Sequence, residues 1–257
     1  MSARSETAFK TTGTAGIIEL AGPGANSLGT PMIAAIDTAL TRFEESGAKV
    51  LLIVSALPGV FIAGADIKEM NGAGASALAE YGTALRRLLT RLAGLDRPSI
   101  AVIEGLALGG GLELALACSL RVGSTDAKMG LPEPRLGLIP GAGGTQRLPQ
   151  IVGRARALDL LLTARTVEAA EAYHMGLLTR LAGAGRAREA ALELAEEIAR
   201  LSQPAIAVIL RLVDNSFNVD LSSGLADEER EATGLLTNGE AAEGLSAFVE
   251  KRLPRFA

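Results

Sequence analysis

Two carboxylates and a run of glycines are the residues of this chain that can do chemistry together. Glu113 follows Gly109, Gly110 and Gly111 in EGLALGGGLELALAC and is surrounded by Leu112, Leu114 and Leu116; Glu133 stands between Pro132 and Pro134 in LPEPRLGLIPGAGGTQRL. A glycine run that leads into a helix lets a ligand oxygen approach backbone N–H groups that are unpaired and carry partial positive charge. Gly64 and Ala65, in FIAGADIKEM just before a predicted helix start at Asp66, offer a second N–H. Two such donors aimed at one point make an oxyanion hole, a site for an oxygen that becomes negative during reaction. An ionised Glu113 among leucines needs hydrogen-bond partners or water, or else a raised pKa. The proline after Glu133 biases that residue to an extended backbone and a stiff loop. Taken singly, Glu113 reads as a helix N-terminal carboxylate and Glu133 as an exposed loop charge. The oxyanion-type loops in the same stretch favour an acid–base pair.

Composition removes most other chemistries. The chain has 257 residues, 48% hydrophobic and 21% charged, with a net charge of −4 from 25 basic and 29 acidic residues. That length and balance fit one domain, or a domain with an appendage, and disfavour nonspecific binding to nucleic acid or an anionic membrane. A single cysteine, Cys118, forbids an intrachain disulfide framework, and a single histidine, His174, forbids a multi-histidine metal site. A Cys–His pair survives only if Cys118 and His174 meet in space, and no metal site is expected. Cys118, in LALACSL, reads as a buried inert thiol, and His174 as a helix-end residue. Tryptophan is absent and aromatics total 3%, too few for a base-stacking platform. The opening MSARSETAFK lacks the apolar core of a signal peptide, and no run of eighteen apolar residues spans a membrane. A soluble, cytoplasmic protein is the expectation. No phosphate loop of the G-x-x-x-x-G-K type and no G-x-S-x-G elbow is present, and GPGANS carries Ser27 where a dinucleotide fingerprint needs a third glycine.

The elements that must position these residues alternate in the first half. Gly16–Leu20, Val50–Val54, Ser99–Ile103, Leu120–Val122 and Ala127–Met129 read as strands, Val50–Val54 as one buried on both faces. Helices are predicted from Met32 to Phe43, with Thr30 as N-cap and Pro31 at the first position, from a capping box at Asp66 and Glu69, from about Ala75 to Leu92, and from the glycine run to Cys118. After about Gly153 the chain turns mostly helical: Arg154–Thr163, Val167–His174, Arg186–Leu201, Pro204–Asn215, Leu221–Leu236 and Ala241–Leu253, with Leu177–Leu181 as a last strand. This is a strand-and-helix α/β core, residues 1–195, followed by a helical region, 196–257.

The three glycine- and carboxylate-bearing segments resemble the crotonase (enoyl-CoA hydratase/isomerase) superfamily. A-G-A-D-I-K at 63–68, G-G-G-x-E-L-A at 109–115 and P-E-x-x-x-G-x-I-P-G-A-G-G-T-Q-R-L at 132–148 occur in family order and spacing. The ending EGLSAFVEKRLPRF extends the resemblance over nearly the whole chain. The resemblance implies a crotonase-like spiral of ββα units with C-terminal helices that build trimers, often paired into hexamers. It implies acyl-CoA thioesters as ligands, with coenzyme A part of the substrate and no separate cofactor. By position, the oxyanion donors fall on the N–H groups of Ala65 and Gly110, and the hydratase glutamates on Glu113 and Glu133. The adenine end of CoA falls on the backbone around Ala63 to Lys68, that is on Ala63, Ala65, Asp66, Ile67 and Lys68. Gly141 falls beside the catalytic water, and Phe248 and Lys251 on positions that reach the CoA of a neighbouring subunit. Possession of both glutamates implies syn addition of water to a 2-enoyl-CoA. A Δ3,Δ2-enoyl-CoA isomerase using Glu133 and an acyl-CoA-binding homologue without turnover are the alternatives. SALPGVFIAGADIKEM, GLALGGGLELALAC and VDLSSGLADEE are most similar to the methylglutaconyl-CoA hydratase branch. The RNA binding reported for some of that branch, through a Lys-rich first helix, is not expected here. The corresponding helix, Pro31 to Ser46, carries Arg42 as its only base against Asp37, Glu44 and Glu45. The N-terminal loop also departs from the family, with GPGANSL in place of R-P-x-x-x-N-A-L.

Overall fold

The run Val50–Ser55 shows why the sheet forms where it does. Val50, Leu52 and Val54 pack with Ala187, Ala191 and Leu194 on one face, while Leu51 and Ile53 enter the main core on the other. A strand covered on both faces buries every side chain, which is why its sequence is continuously apolar rather than alternating.

The computed structural model describes residues 7–256. Residues 1–6, most of the segment read above for a signal peptide, lie outside the described residues. In chain order the elements are β1 (Ala8–Thr12), β2 (Ala15–Leu20), the single turn α1 (Pro23–Asn26), α2 (Thr30–Glu44), β3 (Val50–Ser55), β4 (Val60–Ile62), α3 (Ile67–Met70), α4 (Ala75–Ala93), β5 (Ser99–Ile103), β6 (Leu106–Leu108), α5 (Gly110–Ala117), β7 (Leu120–Ser124) and β8 (Lys128–Gly130). A 3-10 turn (Glu133–Leu136) follows, then α6 (Gly144–Val152), α7 (Arg154–Thr163), β9 (Thr166–Glu168), α8 (Ala169–His174), β10 (Arg180–Ala182), α9 (Ala187–Ala199), α10 (Gln203–Asn215), α11 (Leu221–Asn238) and α12 (Ala241–Val249).

Two sheets result. One has the order β1-β2-β3-β5-β7-β10, parallel except for β1, and the other the order β4-β6-β8-β9, parallel except for β9. The pairs β3–β4, β5–β6 and β7–β8 each give one strand to either sheet before a helical segment follows. The chain therefore winds as the spiral of ββα units that the resemblance implies. Helix α5 is buried along its whole length and carries Glu113 as its one charged side chain. Helix α9 covers the outer face of the first sheet, and α9 itself spans position 195/196.

Several expectations change. Glu133 opens the 3-10 turn instead of taking an extended backbone, with Pro134 accommodated at the second position of that turn. The N-cap of α2 is Gly29, not Thr30, because Thr30 is already helical and its hydroxyl and N–H engage Glu69. That same pairing removes Glu69 from the capping box. Asp66 caps α3 alone, accepting from Lys68 N and Glu69 N. The helix predicted at Val167–His174 begins as strand: Val167 pairs with Met129 across β8–β9, and the helix starts at Ala169. The last strand is Arg180–Ala182 rather than Leu177–Leu181, since it must register with Val122–Ser124.

Candidate active site

The glycine run is short of side chains because the backbone there is crowded on both sides. Gly109 sits at φ +53°, and a Cβ on it would stand 3.0 Å from Glu133 Oε1 and 3.7 Å from Gly64 Cα. A Cβ on Gly111 would lie 2.4 Å from the Ile62 carbonyl oxygen. Helix α5 thus rests directly on β4, and its first turn meets the loop that leaves β4 through Ala63, Gly64 and Ala65. Left-handed backbone without steric cost and close backbone approach are what glycine supplies. Gly109 N donates to Gly130 O at 2.9 Å, which ties the turn to β8 and so to the Glu133 loop.

One cavity of about 320 Å³ joins the three segments and is lined by Ala65, Gly110, Glu113, Glu133 and Gly141 among others. Among the described residues, the Ala65 and Gly110 N–H groups donate to no protein acceptor. They are the unpaired donors that the sequence placed at the helix start and the 64–65 loop.

The two glutamates sit in unlike surroundings. Glu113 is 3% exposed, and its Oε1 accepts hydrogen bonds from Ala142 N at 2.7 Å and Gly144 N at 2.8 Å. Burial raises its carboxyl above the ordinary range, and the two amides and the Arg147 charge oppose the rise. Glu133 is half-buried. Its Oε2 is buried without a hydrogen-bond partner. Burial, reinforced by the negative Glu113, pushes it up to about 7. The two carboxyls of one cavity thus differ in their partners: one is gripped by two amides, and the other has a buried oxygen with no hydrogen-bond partner.

Two positioning residues escaped the sequence. Asn26, fully buried, accepts from Gly22 N at 2.8 Å and donates to Ser55 Oγ at 2.8 Å and Phe61 O at 3.0 Å. It ties the N-terminal loop to the ends of β3 and β4. Tyr81 on α4 donates to Leu28 O at 2.7 Å, and Leu28 N donates to Gly64 O at 2.8 Å, so the phenol braces the 64–65 loop through Leu28. Burial and the carboxylates of Glu69, Glu113 and Asp66 push Tyr81 upward and keep it a neutral donor. No local pattern marks either residue, because both act on segments far away in sequence.

Not every expected contact residue reaches the cavity. Ala63, Ala65 and Ile67 line it, whereas Asp66 and Lys68 do not; Asp66 spends its carboxylate on the α3 cap, and Lys68 is exposed. Phe248 is 84% exposed and Lys251 sits just beyond α12 at φ +55°, both outside the cavity lining. Cys118 is buried and free, and burial pushes its thiol up to about 12. His174 ends α8, its Nδ1 2.6 Å from Ala170 O. Among the described residues no cluster of three metal-ligating side chains occurs, and no helix is long and apolar enough to cross a membrane.

Comparison with known proteins gives the family. The family described as enoyl-CoA hydratase/isomerase matches residues 10–257. A probable enoyl-CoA hydratase from Rhizobium meliloti is 40% identical over 248 residues, 96% of either chain. The rat mitochondrial methylglutaconyl-CoA hydratase is 39% identical over 238 residues, 91% of this chain and 76% of its own. The crystal structure of an enoyl-CoA hydratase from Bacillus anthracis superposes with a TM-score of 0.93 at 36% identity, covering 97% of this chain and 98% of its own. The chain belongs to the enoyl-CoA hydratase/isomerase family and is an enzyme of its hydro-lyase type.

Proposed function

We propose that the protein adds water across the double bond of a 2-enoyl-CoA thioester to give the 3-hydroxyacyl-CoA. The observation that carries this reading is the unequal pair of carboxyls on one cavity: Glu113 held by two amides, and Glu133 with a buried unpaired oxygen and a pKa of about 7. The thioester carbonyl accepts from Ala65 N–H and Gly110 N–H. Glu113 removes a proton from water, whose oxygen bonds to Cβ. The π electrons move to the carbonyl oxygen as an enolate, which the two amides stabilise. Glu133 delivers its proton to Cα as the carbonyl re-forms, giving syn addition. Solvent exchange then returns Glu113 to the ionised and Glu133 to the neutral form. One oxyanion donor contributes about 3 kcal/mol to such a barrier. Coenzyme A belongs to the substrate, and the reaction needs no metal or separate cofactor.

The rest of the site supports an extended thioester. Ala63 and Ile67 support a place for the CoA beside Gly64–Ala65. Asp66 and Lys68 would serve there through backbone groups only, since their side chains are turned to the α3 cap and to solvent. Leu78, Leu85 and Ile139 give the cavity an apolar wall for an acyl chain. A finer reading rests on Arg86, which lines the same cavity, donates to Gly141 O at 3.4 Å and forms no ion pair among the described residues. A guanidinium hydrogen-bonded to Gly141 O and Thr83 Oγ1 but matched to no carboxylate among the described residues supports a substrate with a distal carboxylate, of methylglutaconyl type.

The C-terminal segment 196–257 is proposed as the oligomerisation region and 1–195 as the catalytic core. Leu221, Leu245, Phe248, Val249 and Leu253 are all more than half exposed, an apolar surface suited to other copies of the chain as a trimer or a pair of trimers. Phe248 and Lys251 are proposed to meet the CoA of a neighbouring subunit. The cytoplasm is proposed as the place of action on the free buried thiol of Cys118; the rat relative is named mitochondrial, and fractionation decides between them.

Hydration is tested by incubating the purified protein with straight, branched and carboxylated 2-enoyl-CoA esters. Loss of the conjugated enoyl absorbance with 3-hydroxyacyl-CoA as product is the expected result. Conversion of a 3-enoyl ester to the conjugated ester without hydration would install the isomerase reading, and tight binding of every ester with no turnover would install a binding protein.

A further inference from the structure

Arg147 lies in the G-G-T-Q-R-L stretch, on α6, and none of the chemistry above uses it directly. It is nevertheless built into the loop that holds Glu113. Its Nη1 donates to Ala142 O at 3.0 Å. A Cβ on Gly143, which sits at φ +115°, would stand 2.2 Å from that same Nη1, so the glycine leaves the room the guanidinium fills. The peptide units on either side of this contact carry Ala142 N–H and Gly144 N–H, the two donors to Glu113 Oε1. Arg147 therefore pins the loop from behind while its amides point at the carboxylate in front. Its charge also acts on Glu113 across the loop.

We propose that Arg147 is a positioning residue for Glu113: by anchoring the Ala142 carbonyl and placing a fixed positive charge behind the loop, it holds the carboxylate in the place and the ionised form that water activation requires. This rests on the reading of Glu113 as the base. Bond and charge act in the same direction. A cation near a carboxylate favours the ionised form, and two preset N–H donors favour it further. The charged and titratable groups that bear on Glu113 are Arg147 from α6, Glu133 from the 3-10 turn and Tyr81 from α4. Those that bear on Arg147 are Glu113, Asp214 of α10 and Cys118. Asp214 is not ion-paired to Arg147 and is the one group from the C-terminal helices that reaches this line of charge.

The test compares Arg147→Met, Arg147→Gln and Arg147→Lys with the unmodified protein. Hydration of 2-butenoyl-CoA is followed across pH, and binding of saturated butanoyl-CoA by calorimetry. For Arg147→Met we expect kcat to fall about tenfold or more, with the butanoyl-CoA affinity within about twofold. The acid-side fall of kcat/KM, where the base takes up a proton, should move to higher pH by about half a unit or more. Arg147→Lys should keep the original acid-side midpoint and recover most of the loss in kcat. Arg147→Gln replaces the Met variant if that variant does not fold, since it retains a donor for Ala142 O without the charge. An unchanged acid-side midpoint in the folded neutral variants, or a loss that Lys does not rescue, would overturn the proposal. Should the unmodified protein hydrate no ester, the hydratase reading falls by itself. The proposal is then decided by the Glu113 carboxyl titration, followed by ¹³C shift in glutamate-labelled protein and assigned by its absence in Glu113→Gln. An upward move in Arg147→Met supports it and no move refutes it.

Discussion

Glu133 should impose an alkaline limit on turnover. Delivery of a proton to Cα requires a neutral carboxyl in the free enzyme, and kcat/KM reports the free enzyme's essential groups. Burial, with Glu113 adding to it, pushes Glu133 up to about 7, and its buried Oε2 has no partner that would stabilise the anion. Half of the molecules then carry the proton at a pH of about 7. Above that midpoint the protonated fraction falls about tenfold for each further unit, so two units beyond it kcat/KM should be roughly a hundredth of its plateau. Glu133→Gln has the same size and cannot release a proton; its kcat should drop by about 10²–10⁴ with KM little changed, and the residual rate should lose the alkaline fall. The assay is the initial rate of enoyl absorbance loss over a pH series at constant ionic strength. The same shift carries a stability signature. The folded pKa is raised above the ordinary 4.5, so the contribution is full below that value and is lost as pH rises through about 7. The Gln variant should flatten that part of the stability profile. A rate that stays level from the acid plateau through two units beyond the midpoint, or a Gln variant within about threefold of the parent, would falsify the assignment of Glu133 as the acid.

Three further outcomes follow from the packing around the site. Gly111→Ala places a methyl 2.4 Å from the Ile62 carbonyl; it should cost about 1–3 kcal/mol by thermal or urea unfolding, and should lower kcat more than acyl-CoA affinity because α5 and the 64–65 loop are pushed apart. Asn26→Ala leaves Gly22 N–H and Phe61 O without their partner inside the protein, and should destabilise by about 3 kcal/mol in the same measurement. Cys118, 4% exposed and with its thiol pushed up to about 12, should react with a thiol reagent only at the rate of unfolding, while denatured protein reacts at once.

Much of this site was legible before any fold was known, because its donors and acids are carried by short stretches with local causes. A glycine run entering a helix and a glutamate locked between prolines announce themselves in a dozen residues each. The structure adds that the 64–65 loop and the α5 start lie side by side, with Gly64 Cα 3.7 Å from a Gly109 Cβ position. What stayed hidden depends on distant partners. Strands β4, β6 and β9 are three residues long, too short for a period-two pattern, and exist because neighbouring strands supply their hydrogen bonds. Val167 followed helical spacing locally, yet pairing with Met129 claimed it for a strand. Glu69 has capping-box spacing from Asp66, but Thr30, thirty-nine residues away, takes its carboxylate. Asn26 and Tyr81 brace segments remote in sequence, whereas Arg147 lies inside a quoted motif and only the fold shows that its guanidinium meets Ala142 O.

The most direct test is a crystal structure of the protein with a 2-enoyl-CoA thioester, or a stable analogue, bound in the active form. We expect the thioester oxygen about 2.7–3.1 Å from both Ala65 N and Gly110 N, with Cβ on the side of Glu113 and Cα within reach of Glu133. A thioester whose oxygen meets neither amide, or whose double bond lies away from both carboxyls in every subunit, would contradict hydration at this site.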